Sequence, residues 1–130
     1  MPPHVVVVDD EPDIREVVSL ILADGGFRVT QVASPEAART VLSTQGVDLV
    51  VTDQRLGNTT DTGLDLVRYT RDHLPPTVGI ILLTALQHPP ESEQAIWLRS
   101  VGARVVAKPF DMDQLQELAR QLTGWQGASS

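Results

Sequence analysis

The sequence predicts an α/β fold: a single doubly wound, five-stranded parallel sheet with five helices on both faces. Short apolar runs alternate with stretches of helical periodicity along the whole chain. Three of the runs, Val5–Val8, Val47–Thr52 and "VGIILLT" ending at Thr84, are apolar at almost every position. That is the mark of strands covered on both faces. The other two, Phe27–Val32 and Ala103–Ala107, are weaker, as edge strands of such a sheet are.

A helix is expected from about Pro12 to Asp24, with Ile14, Val17, Val18 and Ile21 on one face and Gly25-Gly26 ending it. Phe27–Val32 alternates like a half-buried strand. Ser34-Pro35 then pairs an N-cap with a proline at the first helical position, and Ala38, Val41 and Leu42 point inward. After Val47–Thr52 comes the polar loop "DQRLGNTTDTG" and a helix from about Thr62 to His73. Pro75-Pro76 precedes the third apolar strand. Glu91–Val101 reads as a helix closed by Gly102, with the short strand Ala103–Ala107 after it. Asp111 with Gln114 starts the last helix as a capping box, with Leu115, Leu118, Ala119 and Leu122 as its core face. Residues 1–123 are expected to form one domain and 124–130 a disordered tail.

A chain of 130 residues with 42% hydrophobic and 21% charged residues can build one core without staples. It has no cysteine, which removes disulfides and thiolate zinc sites. No apolar run is long enough to span a bilayer, and no basic segment precedes Val5, so a cytoplasmic location is expected. A net charge of −7 argues against direct nucleic-acid binding, which needs a basic surface. Nine of the ten basic residues are arginine; Lys108 is the single lysine.

In an open parallel sheet, ligands bind beyond the carboxyl ends of the strands. The residues just past each strand are therefore informative. Asp9 and Asp10 come after the first, Thr52 and Asp53 after the third, Thr84 after the fourth and Lys108-Pro109 after the fifth. With strand order 2-1-3-4-5 the first and third strands are neighbours and their acids meet. Carboxylates without histidine or cysteine suit a hard divalent cation, Mg²⁺ above all, or Mn²⁺. Asp10 and Asp53 are expected to bind it directly and Asp9 through water.

Each residue taken alone has a plainer explanation. Acids at a helix start complement its dipole, which also accounts for Glu11 and Asp13. Asp53 alone fits an Asx turn, Lys108 a solvated lysine, and Thr84 an ordinary strand end. His4, His73 and His88 have no metal-ligand spacing and are expected at the surface. Trp97, four residues before Val101, is expected to pack in the core.

Taken together, "VVVVDDEPDIREVV", "DLVVTDQRL", "IILLTAL" and "GARVVAKPF" make the chain resemble the receiver domain of bacterial two-component response regulators, from about His4 to Leu122. The resemblance implies a chemotaxis-regulator-like, flavodoxin-like fold. It implies that Asp53 takes a phosphoryl group from the phosphohistidine of a histidine kinase or phosphotransfer protein. Asp9 and Asp10 would be the Mg²⁺ acids, joined by Asp53 and the Arg55 backbone carbonyl. Thr84 would be the switch hydroxyl, Lys108 would pair with phosphoryl oxygens, and the Lys108-Pro109 bond would be cis. It implies a signalling domain rather than an enzyme, with a helix 4–strand 5–helix 5 surface for a downstream effector or a second copy.

Three features depart from the family pattern. Val105 stands where an aromatic residue is usual, three before the lysine. The loop after Asp53 is about two residues longer than the common form and carries Leu56-Gly57. Arg55 places a guanidinium two residues after the acceptor. Competing readings are a receiver-like module that binds partners without phosphorylation, and a Mg²⁺-dependent phosphohydrolase with an aspartyl nucleophile. The second needs a general acid where Arg55 stands.

Overall fold

The computed structural model describes residues 2–55, 62–85 and 89–126. The elements run β1 (His4–Val8), α1 (Pro12–Asp24), β2 (Arg28–Val32), α2 (Pro35–Thr44), β3 (Leu49–Asp53), α3 (Gly63–His73), β4 (Gly79–Thr84), α4 (Glu93–Ser100), β5 (Arg104–Ala107) and α5 (Met112–Thr123). All strand pairs are parallel and the order is β2-β1-β3-β4-β5, as expected. Val8 pairs with Val32 and Thr52, Asp53 with Leu83, and Thr84 with Ala107. This register brings the carboxyl ends of the strands to one rim.

The two sheet faces bury different helices. Val5, Val7, Val51, Ile81 and Leu83 meet Val18 and Leu22 of α1 and Leu115 and Ala119 of α5. On the other face Val6, Val8 and Val50 meet Ala38 and Leu42 of α2 and Leu66 of α3. Ile80 and Leu82 are covered there by Val67 and by Leu98 of α4. Each buried valine, leucine or isoleucine among them contributes about 1.5–3 kcal/mol over leaving it in water. Edge strands β2 and β5 are the least buried, which explains their weaker apolar patterns.

The helix starts obey capping chemistry. The Ser34 hydroxyl accepts the Ala37 N–H, and Thr62 and Asp65 form a reciprocal capping box at α3. At α5 the Asp111 carboxylate accepts the Asp113 N–H, so the cap is present without the expected exchange with Gln114. Helix α4 begins at Glu93 rather than Glu91, because the Ser92 hydroxyl takes the Ala95 N–H and sets the first turn. Strand β3 begins at Leu49, although Val47 before it is buried.

Several sequence expectations are corrected. Val17 is 48% exposed, because the buried stripe of α1 is Val18, Ile21 and Leu22, with Ile14 partly buried against the core, and Val17 lies beside it. His4 is not a surface residue but is 3% exposed. Its Nδ1 lies 2.7 Å from the Gly46 carbonyl and its Nε2 2.7 Å from the Thr30 hydroxyl, while its N–H donates to Asp48 Oδ2. A histidine with both ring nitrogens paired is as well housed as an apolar residue. His73 is exposed and stacks on Tyr69; His88 lies outside the described residues. Past Thr123, residues 124–126 are described. Gly124 closes α5 in a left-handed conformation, and Trp125 packs on the α1–α5 core with its indole N–H on the Gly25 carbonyl. Residues 127–130 of the expected tail are outside the described residues.

Candidate functional site

Four strands deliver the expected side chains to the rim. Asp9 and Asp10 lie just past β1, Asp53 ends β3, Thr84 ends β4 and Lys108 lies just past β5. One carboxylate oxygen from each of Asp9, Asp10 and Asp53 falls within 4.8 Å of the other two. Lys108 Nζ lies 2.8 Å from Asp53 Oδ1, and the Lys108 N–H donates to the Thr84 carbonyl at 2.8 Å. The Lys108-Pro109 peptide is cis, and Thr84 is buried.

The three acids sit in different surroundings. Asp9 is 2% exposed, Asp53 is partly buried and Asp10 faces water. The Asp9 Oδ1 accepts the Glu11 N–H, its main-chain N–H reaches the Val32 carbonyl, and its carbonyl accepts Nη1 of Arg15. Its Oδ2 is buried with no hydrogen-bond partner among the described residues. Burial holds the Asp9 carboxyl above the usual range. The Glu11 N–H opposes that, the Asp53 charge adds to it, Lys108 opposes it, and Asp10 adds to it. A buried charged oxygen without a partner is costly. An orphaned oxygen facing two more carboxylates is the environment that a hard, oxygen-seeking cation relieves. The donor set therefore fits Mg²⁺.

Arg55 is exposed, two residues beyond Asp53. Residues 56–61, with Leu56-Gly57 among them, lie outside the described residues. Val105 pairs with Leu82 in β5 and is 44% exposed, so it fills no interior position. Trp97 is partly buried against the cluster of Val67, Ile80, Leu82, Leu98 and Ala103, as expected, with the Arg68 guanidinium 4.9 Å from its ring centre.

Residues to which sequence reasoning gives no role also touch the site. The Thr52 hydroxyl donates to the Asp53 carbonyl at 2.9 Å, and Gly63 packs so closely that an added Cβ would meet that same carbonyl. Thr52 is visible as the one hydroxyl in an aliphatic run, whereas Gly63 carries no distinguishing signal among the nine glycines. Arg15, which anchors the Asp9 carbonyl from α1, is likewise unmarked.

Comparison with known proteins gives a consistent picture. The family described as "Response regulator receiver domain" matches residues 5–120. The response regulator protein PilR of Pseudomonas aeruginosa is 34% identical over 87% of this chain, which covers 24% of that protein. The transcriptional regulatory protein TorR of Escherichia coli is 31% identical over 88% of the chain, which covers 47% of it. The chain thus spans less than half the length of these two curated relatives. Among solved structures, the chemotaxis response regulator CheY4 of Vibrio cholerae superposes with a TM-score of 0.80 at 27% identity, covering 94% of this chain and 99% of that one. The response regulator TrrA of Thermotoga maritima, solved in complex with Mg²⁺ and BeF, does so at 0.79 and 30% identity, covering 94% and 99%.

Proposed function

Since the chain belongs to the receiver domain family of response regulators, we propose that it is a phosphoacceptor switch in which Asp53 takes the phosphoryl group. The carrying observation is the convergence on Asp53 of two further carboxylates and one ammonium at the sheet rim. In the proposed step an Asp53 carboxylate oxygen attacks the phosphorus of a phosphohistidine. A P–O bond forms, the P–N bond breaks, and the imidazole leaves with its electron pair and a proton from solvent. The product is an acyl phosphate, labile enough to act as a timed signal.

Such a transfer needs positioning and charge neutralisation more than covalent help. Lys108, already paired with Asp53, supplies one positive charge to the phosphoryl oxygens. The Thr84 hydroxyl at the end of β4 supplies a hydrogen bond. Asp9, Asp10, Asp53 and the Arg55 carbonyl would hold Mg²⁺, which when bound would supply positive charge to the phosphoryl oxygens. Residues 1–123 are the receiver unit in this reading, and the work is cytoplasmic. Its donor is a histidine kinase or phosphotransfer protein, and its output a surface of α4, β5 and α5 offered to an effector or a second copy. No helix among the described residues is long and apolar enough to cross a membrane.

Exposed Val105 supports a second reading, a module that binds partners without this chemistry, since the usual aromatic has no counterpart there. Arg55 leaves an aspartyl phosphohydrolase without its general acid. One experiment separates the three. Wild type and Asp53→Asn are incubated with Mg²⁺ and acetyl phosphate, and a base-labile adduct is sought. An adduct confined to wild type is expected. No adduct on wild type favours the binding module, and turnover of many phosphate esters favours the hydrolase.

A further inference from the structure

We propose that Thr52 is a positioning residue for the acceptor: with Gly63, it clamps the Asp53–Gln54 peptide and so fixes the direction of the Asp53 carboxylate. The inference rests on the reading of Asp53 as phosphoacceptor.

The β1 ladder ends at the Val8–Thr52 pair, whereas β4 continues to Leu83–Asp53. The β1–β3 pairing stops at Val8, and the Asp9 N–H belongs to the Val8–Val32 pair on the β2 side. The Asp53 carbonyl thus stands just beyond the last β1 pair. The Thr52 hydroxyl meets it at 2.9 Å. On the same peptide plane, the Gln54 N–H donates to the Leu83 carbonyl at 2.9 Å. Both polar atoms of that plane are therefore held, one by the sheet and one by Thr52.

Packing alone does not call for this hydroxyl. Thr52 is 0% exposed and comes after Leu49, Val50 and Val51, and valine has the same branched shape. A hydroxyl in so dry a place needs a partner, and its partner here is the acceptor's carbonyl. Gly63 closes the other side. Its N–H donates to the Gln54 carbonyl at 2.8 Å. A Cβ there would press on the Asp53 carbonyl oxygen and lie 2.9 Å from both the carbonyl carbon and Gln54 Cα. These are backbone atoms, so the first turn of α3 or the end of β3 would have to move.

The test compares wild type, Thr52→Val, Thr52→Ser and Gly63→Ala. With saturating Mg²⁺ and acetyl phosphate, Thr52→Val is expected to lower the maximal phosphorylation rate roughly tenfold, the worth of one ordinary hydrogen bond. The donor concentration for half-maximal rate should not change, and Thr52→Ser should restore the rate. Gly63→Ala should fall further, towards about 10²-fold. In the metal-free protein the Gln54 amide should exchange about tenfold faster in Thr52→Val than in wild type or Thr52→Ser. Unchanged exchange in Thr52→Val, or equally fast exchange in Thr52→Ser, overturns the clamp whatever the phosphorylation result. Absence of any adduct on wild type overturns the acceptor reading, while exchange still decides the clamp. Should Gly63→Ala not fold, the near-isosteric Thr52 pair carries the test.

Discussion

The Lys108 ammonium reaches the Asp53 carboxylate at 2.8 Å across β4, which separates their strands. The contact needs β5 to be an edge strand beside β4 and the chain to leave it directly at the rim. The same placement sets a cation against an acidic cluster that otherwise repels itself.

Replacing Lys108 by methionine keeps the stem and removes the charge. Without Mg²⁺ the three acids then face one another, and the variant is expected to lose about 1–2 kcal/mol, between the values of exposed and buried pairs. Millimolar Mg²⁺ should recover much of this. Urea unfolding with and without the cation checks it, and a variant indifferent to Mg²⁺ in stability would contradict the cluster's proposed role.

Asp9 predicts a pH dependence. Its folded pKa is raised above the unfolded value, first by burial and then by the Asp53 and Asp10 charges. Its contribution to stability is thus fully present below the unfolded pKa and is lost as pH rises through the folded one. Metal-free wild type should weaken over that window, and Asp9→Asn should flatten the curve. At neutral pH the variant should be more stable by about 1 kcal/mol, since an amide replaces an unpartnered carboxylate oxygen. It should also bind Mg²⁺ more weakly. Unfolding curves at several pH values, with EDTA or Mg²⁺, give both answers; a less stable metal-free variant would show that the carboxylate is well housed.

These residues also mark how far linear sequence reaches. Asp9, Asp10, Asp53, Thr84 and Lys108 are legible because parallel strands put their carboxyl ends on one side, so position after an apolar run is enough. The weaker apolar patterns of Phe27–Val32 and Ala103–Ala107 mark the two edge strands, while the order of the three between them rests on the family resemblance. The Thr52–Asp53 bond is not legible, because it depends on where the β1 ladder stops, a matter of register. Periodicity misplaces Val17 because it marks a broad face, while the width buried depends on how α1 meets α5. His4 escapes a linear reading because its partners, Thr30 and Gly46, come from other segments that only the folded sheet brings to it.

His4 lies at the amino end of β1, opposite the acidic rim, so it separates stability from chemistry. His4→Ala leaves the Gly46 carbonyl and Thr30 hydroxyl without their imidazole and opens space in the sheet. A loss of about 2–4 kcal/mol is expected from the missing bonds and the cavity together. The phosphorylation rate of the folded fraction should stay near wild type. A large rate defect with little change in urea midpoint would reverse that assignment.

The Arg68–Trp97 contact joins α3 to α4, whose buried residues are only Ala95 and Leu98. A guanidinium over an indole face is worth about 0.5–1 kcal/mol at an exposed site. Removing it should loosen α4 more than the sheet, because α4 has few other apolar anchors. Arg68→Ala is therefore expected to cost that amount globally and to raise acrylamide quenching of Trp97, read in a Trp125→Phe background. Arg68→Lys, which keeps a cation but not the planar stack, should fall between. Quenching equal in all three proteins would mean that the apolar cluster under Trp97 holds it alone, and that α4 is anchored without help from the Arg68 guanidinium.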